Sequence, residues 1–156
     1  MGTSTNAMLV YGYHLGNADD GLEVAEADED GLLGLDWYDP DTDDDFAETA
    51  MEVLLGAAGF TEEYEPGSGY YERKSAAEAA LGVEFETHCS GDYPMLILAA
   101  KTVTAHRGDA DPIDFVALAT EAEAGGWDDK LRNALQVLGL TPKQERPMWL
   151  LCSYWG

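Results

Sequence analysis

The stretch Val83–Ala100 reads VEFETHCSGDYPMLILAA, and it decides the fold. Val83, Phe85, Thr87 and Cys89 alternate with Glu84, Glu86 and His88, the period-two pattern of a strand with one solvated face. Ser90, Gly91 and Asp92 have the composition of a turn. Pro94 opens the next strand, where its missing N–H is tolerated. Met95 to Ala100 is then apolar without a break, as in a central strand covered on both faces. Just upstream, Leu81-Gly82-Val83 has the form of a helix-ending glycine followed by its apolar contact. The same signature recurs at Ala58-Gly59-Phe60 and at Leu138-Gly139-Leu140, so three helix ends are expected.

Outward from these markers the remaining elements follow. Phe46, Ala50, Val53, Leu54, Ala57 and Ala58 form one helical stripe, with aspartates before it to cap the positive end. A second helix is expected between Tyr70 and Leu81, with Ser75 as an alternative late start. Asp111-Pro112 is expected to open a third helix, ended by Gly125-Gly126. Trp127, Leu131, Ala134, Leu135 and Leu138 mark a fourth. Met8 to Leu15 alternates as a half-buried strand, and Leu22–Leu35 reads as a short hairpin or an ordered loop. The apolar run Met148 to Trp155 is expected to lie at the heart of the sheet, buried on both faces. The fold class is therefore α+β: a mixed or antiparallel sheet of about four strands with three to four packed helices. Residues 1–7 read as a leader, and 8–156 as a single globular domain. Helices over both sheet faces are expected to complete the core, with a homodimer through one face as the alternative.

The 156 residues, 46% of them apolar, suffice for one core, and no apolar run reaches membrane-spanning length. Two cysteines, Cys89 and Cys152, make no disulfide framework, which favours a cytoplasmic setting and buried thiols. Charge is more distinctive. The net charge is −23, and no Lys or Arg precedes Arg73, so residues 1–72 carry −19 and the remainder −4. Such asymmetry points to one strongly negative face.

Trp37-Tyr38-Asp39, Ala58-Gly59-Phe60, Cys89-Ser90-Gly91-Asp92-Tyr93-Pro94-Met95 and Arg146-Pro147-Met148-Trp149-Leu150-Leu151-Cys152 together resemble small acidic proteins of actinobacteria and their phages. The resemblance covers nearly the whole domain and implies no activity and no catalytic residue.

Asp39, Asp41, Asp43 and Asp45 alternate like calcium ligands, but an EF-hand counted from Asp39 has Asp44 where glycine belongs and Ala50 where a bidentate glutamate belongs. His88 and Cys89 are types suited to nucleophilic chemistry, yet neighbours on a strand point to opposite faces. Cys89 would need His14 or His106 from elsewhere in the chain. No Cys/His spacing supports zinc, and Arg107-Gly108-Asp109 reads as a turn. Eight Lys and Arg in all disfavour direct nucleic-acid binding. No catalytic residue, cofactor site or metal site is assigned. The expectation is a non-enzymatic binding protein whose acidic half engages a basic protein surface, as a DNA mimic does. Trp37, Tyr38, Asp39, Asp41, Asp43, Asp44 and Asp45 are the expected contact residues. The alternatives are an enzyme with a cleft near His88 and Cys89, or a surface adapted to high salt.

Overall fold

A computed structural model describes residues 5–43 and 45–156. Its order is β1 (Thr5–Asn17), β2 (Gly21–Leu22), α1 (Phe46–Ala57), α2 (Tyr70–Leu81), β3 (Glu84–Ser90), β4 (Pro94–His106), α3 (Phe115–Gly125), α4 (Trp127–Leu138) and β5 (Met148–Trp155). The class is α+β, with one mixed five-stranded sheet and four helices. Thr5, Asn6 and Ala7, expected in a leader, begin β1: all three pair with Trp155–Ser153, and Asn6 and Ala7 also pair with His106 and Ala105. Residues 1–4 of that leader lie outside the described residues.

The sheet runs β2-β1-β4-β3-β5, and β5 also pairs along β1 from Gly12↔Met148 to Thr5↔Trp155. Its far end meets β3 in a short parallel ladder at Cys89↔Tyr154. The sheet thus curls until β5 closes it, and its inner face needs no helix to cover it. That face holds Met8, Val10, Ile97 and Ala99, all buried, with Leu150, Cys152 and Tyr154 against them. Gly12 permits the curl: a Cβ there would sit 1.9 Å from the Leu98 carbonyl oxygen. The register slips between Tyr11 and Gly12 and again between His14 and Gly16, which adds local bend and twist.

The outer face carries the larger core. Leu15, Leu96 and Leu98 from the sheet pack with Phe46, Ala50 and Leu54 of α1 and with Leu131, Ala134, Leu135 and Leu138 of α4. The α4 residues are the stripe read from the sequence, whereas in α1 Phe46, Ala50 and Leu54 are buried as expected but Ala57 and Ala58 are exposed and Leu55 is buried instead; all three expected glycine stops occur. Gly59, Gly82 and Gly139 have φ of +94°, +68° and +68°, and the N–H groups of Phe60 and Leu140 reach back to the carbonyls of Leu55 and Leu135. By contrast α2 and α3 bury no residue. The start of α3 departs from expectation: Asp114, not Asp111, caps it, accepting the Ala117 N–H at 3.0 Å. Asp114 wins because its side chain can reach the orphan donor three residues on, whereas Asp111-Pro112 precedes the first turn.

The C-terminal strand also departs from expectation. β5 is an alternating strand at the closing seam, with Leu150, Cys152 and Tyr154 inward and Leu151 81% exposed. A run whose only polar residue is Ser153 carries no clear period, so it could not distinguish one buried face from two. Trp149 is held at one side, its ring 5.2 Å from Tyr11 and 6.1 Å from Trp127. The cysteines likewise differ from two buried thiols. Both are free; Cys152 is half-buried on the inner face and Cys89 is exposed, with φ +75° at the end of β3. Arg107-Gly108-Asp109 is a turn, closed by the Asp109 N–H on the His106 carbonyl.

Candidate functional site

The acidic run before α1 is folded upon itself. Asp43 Oδ2 accepts the Asp39 N–H at 2.8 Å, and Asp39 Oδ1 accepts the Asp41 N–H at 3.0 Å. Asp45 Oδ1 takes the Glu48 N–H at 2.8 Å and caps the helix. Trp37 Nε1 donates to the Leu138 carbonyl at 2.8 Å, and its ring lies 5.4 Å from Phe46. Tyr38 meets the same Phe46 edge-on at 5.1 Å. Burial, followed by the charges of Asp19, Asp43 and Asp45, pushes the Tyr38 hydroxyl above its ordinary pKa. Of the expected contact residues, Trp37 and Tyr38 therefore cover the core. Asp39, Asp43 and Asp45 hold backbone donors, and Asp41 offers a carboxylate at an exposed turn. Asp44 lies outside the described residues.

Another aromatic group stands farther along the acidic half. Tyr64 packs edge-on to Tyr70 at 5.7 Å and tilted on Tyr71 at 5.3 Å, with Phe60 5.8 Å from Tyr70. Gly69 at φ +74° turns the chain into α2 so that Tyr70 and Tyr71 occupy its first turn. Tyr64 and Tyr71 are 55% and 64% exposed in spite of their ring-to-ring packing. Glu62, Glu63, Glu65 and Glu72 neighbour them in the chain. Sequence reasoning passed over this ridge, although three of the eight tyrosines within eight residues were its signal.

A third group joins residues far apart in sequence. His14 Nε2 lies 3.1 Å from His88 Nε2, and His14 Nδ1 lies 3.3 Å from a Glu23 carboxylate oxygen. Each element is steered into place. The His14 N–H donates to Gln144 Oε1 at 2.9 Å, and Gln144 Nε2 donates to the Gly12 carbonyl at 2.8 Å. The Glu23 carbonyl accepts the Lys143 N–H at 2.9 Å, and the pairing register slips just after His14. Burial first, and then His14, holds the His88 imidazole below its usual pKa. His14 therefore meets His88 and not Cys89, the partner the sequence had left open for it. His106 is elsewhere, its Nδ1 3.0 Å from Asn6 Oδ1.

Charge compensation divides the molecule. Among the described residues no carboxylate from Asp19 to Glu52 has a Lys or Arg within ion-pair distance. Glu62 pairs with Arg73 at 2.7 Å, Glu121 with Lys101 at 3.1 Å and Asp129 with Arg132 at 2.6 Å. Lys143 adjoins the acidic loop through its backbone bond to Glu23. No group of three or more His, Cys, Asp or Glu among the described residues is arranged to hold a metal ion. No helix among them is long and apolar enough to cross a membrane. Fold and surface together define an α+β protein built on one self-closing sheet, whose carboxylates from Asp19 to Glu52 have no Lys or Arg ion pair among the described residues. Compared with family models, curated proteins and solved structures, the chain matches none. Residue chemistry alone therefore carries the functional reading.

Proposed function

We propose that this chain is a non-enzymatic, cytoplasmic binding protein whose acidic half, residues 19–65, docks on a basic surface of a partner protein. The observation that carries the reading is the run of carboxylates from Asp19 to Glu52 with no Lys or Arg ion pair among the described residues. Like charges held together in a fold repel one another, and a cationic partner relieves that repulsion while gaining speed of encounter. The anchor, at the C-terminal edge of this surface, is the Tyr64–Tyr70–Tyr71 ridge, not Trp37 and Tyr38, whose rings are committed to Phe46. Exposed tyrosine faces flanked by glutamates suit a guanidinium, which stacks on a ring and pairs with a carboxylate at once. The partner class is a nucleic-acid-binding protein, whose Arg- and Lys-rich surface this half occupies in place of phosphates.

The test is capture of cross-linked partners from cell extract at low and at high salt, followed by competition with duplex DNA. Partners are expected to be Arg- and Lys-rich, to be released as salt rises, and to be displaced by DNA. Salt-insensitive capture, or partners without a basic surface, would contradict the reading. Adaptation to concentrated salt predicts something different: no such partner, and a melting temperature that climbs steeply into molar salt.

A further inference from the structure

We propose that His14 and His88 form a binding site for a late first-row divalent metal ion, Zn²⁺ foremost, with Glu23 as the carboxylate that orients His14. A carboxylate can only accept, so the Glu23 contact at 3.3 Å fixes the His14 proton on Nδ1 and leaves the Nε2 lone pair facing His88. The two Nε2 atoms are 3.1 Å apart. Two zinc–imidazole bonds of about 2.0–2.1 Å around a tetrahedral ion set their nitrogens about 3.4 Å apart, so the rings need to part by only a few tenths of an ångström. Binding exchanges the single N–H···N bond between the rings for two coordinate bonds and shifts the proton of the neutral His88 ring from Nε2 to Nδ1.

Three features set this pair apart from a chance meeting of surface histidines. Its members come from strands that are not hydrogen-bonded neighbours, since β4 lies between β1 and β3. His14 is held at two points: at its backbone N–H by Gln144 and at Nδ1 by Glu23. A carboxylate on the far nitrogen of an imidazole is the arrangement that raises ligand basicity in zinc sites. Both rings offer nitrogen, which favours Zn²⁺, Ni²⁺ or Cu²⁺ over the oxygen-preferring Ca²⁺ and Mg²⁺. With two protein ligands, the other coordination positions are open to water.

The test is calorimetric titration of the full chain with Zn²⁺ in excess Mg²⁺, which occupies the carboxylates, alongside imidazole proton NMR. Saturable binding of one ion per chain is expected, with the His14 and His88 resonances shifting together and that of His106 unmoved. Glu23→Gln should weaken binding by about tenfold. His14→Gln combined with His88→Gln should abolish it in a protein that still melts cooperatively, while His106→Gln leaves it intact. Absence of binding in the wild-type chain overturns the proposal, as do Zn²⁺-induced shifts that bypass His14 and His88. The NMR arm decides the matter even where a variant fails to fold.

Discussion

Two acidic stretches of this chain, Asp36–Asp45 and Glu62–Glu72, have opposite fates. The first is the denser in charge and has a tryptophan and a tyrosine at its start, which makes it the more conspicuous in the sequence. In the folded chain it is a self-bonded loop: Asp43 serves the Asp39 N–H, Asp45 caps α1, and Trp37 and Tyr38 close over Phe46. The second stretch is sparser, yet Tyr64 and Tyr71 stand open to solvent among its glutamates. Density of charge in a sequence therefore measures repulsion, whereas availability for a partner depends on what the backbone has already claimed.

The largest way to break this contrast is to truncate an aromatic in each stretch. Trp37→Ala should cost about 2–3 kcal/mol, less than a fully buried tryptophan because the ring is half-buried, with the lost Nε1 hydrogen bond included in that cost. Tyr71→Ala should cost less than about 1 kcal/mol, and denaturant midpoints at constant m-value would show the difference. Equal costs would mean that the ridge belongs to the core. A smaller effect is expected for the acids. Asp45→Ala removes the α1 cap and should destabilise by about 1 kcal/mol, while Glu63→Ala should stay within about 0.5 kcal/mol of the wild type.

A third prediction sharpens the distinction from the side of a structural tyrosine. The Tyr11 hydroxyl donates to Asp128 at 2.6 Å, and burial together with that carboxylate pushes its pKa up to about 12. A raised pKa in an acid whose neutral form is favoured means that the folded state holds this proton more tightly than the unfolded chain does. The stabilisation is complete below the unfolded value of about 10 and is lost as pH climbs towards about 12. Spectrophotometric titration should show Tyr11 ionising late, coincident with the loss of structure, beside Tyr13, Tyr38 and Tyr93, whose hydroxyls are also raised, and Asp128→Asn should bring the Tyr11 ionisation to lower pH.

Much of the fold was legible because the signals were local and redundant. The α4 stripe from Trp127 to Leu138 is fully buried as read, and Gly59, Gly82 and Gly139 stop three helices by the same left-handed geometry. The strands β3 and β4 also pair about the expected turn. What escaped was set by closure of the chain in space. Leu151 is exposed and Leu150 is not because β5 seals a curled sheet, a consequence of Gly12 and two bulges that no periodicity records. The meeting of His14 with His88 spans 74 residues and depends on the same curl. Within the acidic half, composition gave the charge but could not say which carboxylates bond to their own backbone. Asx-type bonding uses the same Asp residues that make a sequence look like a binding surface.

The central claim is that the acidic half, through Tyr64, Tyr70 and Tyr71, accepts a basic partner. Its most direct measurement is the affinity of the full chain for a labelled arginine-rich peptide across a salt series, comparing wild type, Tyr64→Ala/Tyr71→Ala and Asp41→Asn. The account predicts wild-type binding that weakens steadily with salt and a preference for arginine over lysine peptides. It also predicts about a tenfold loss in the double tyrosine variant, as expected for two exposed cation–π contacts, with little change for Asp41→Asn. Equal affinity of wild type and the double tyrosine variant, with both proteins melting alike, would contradict it.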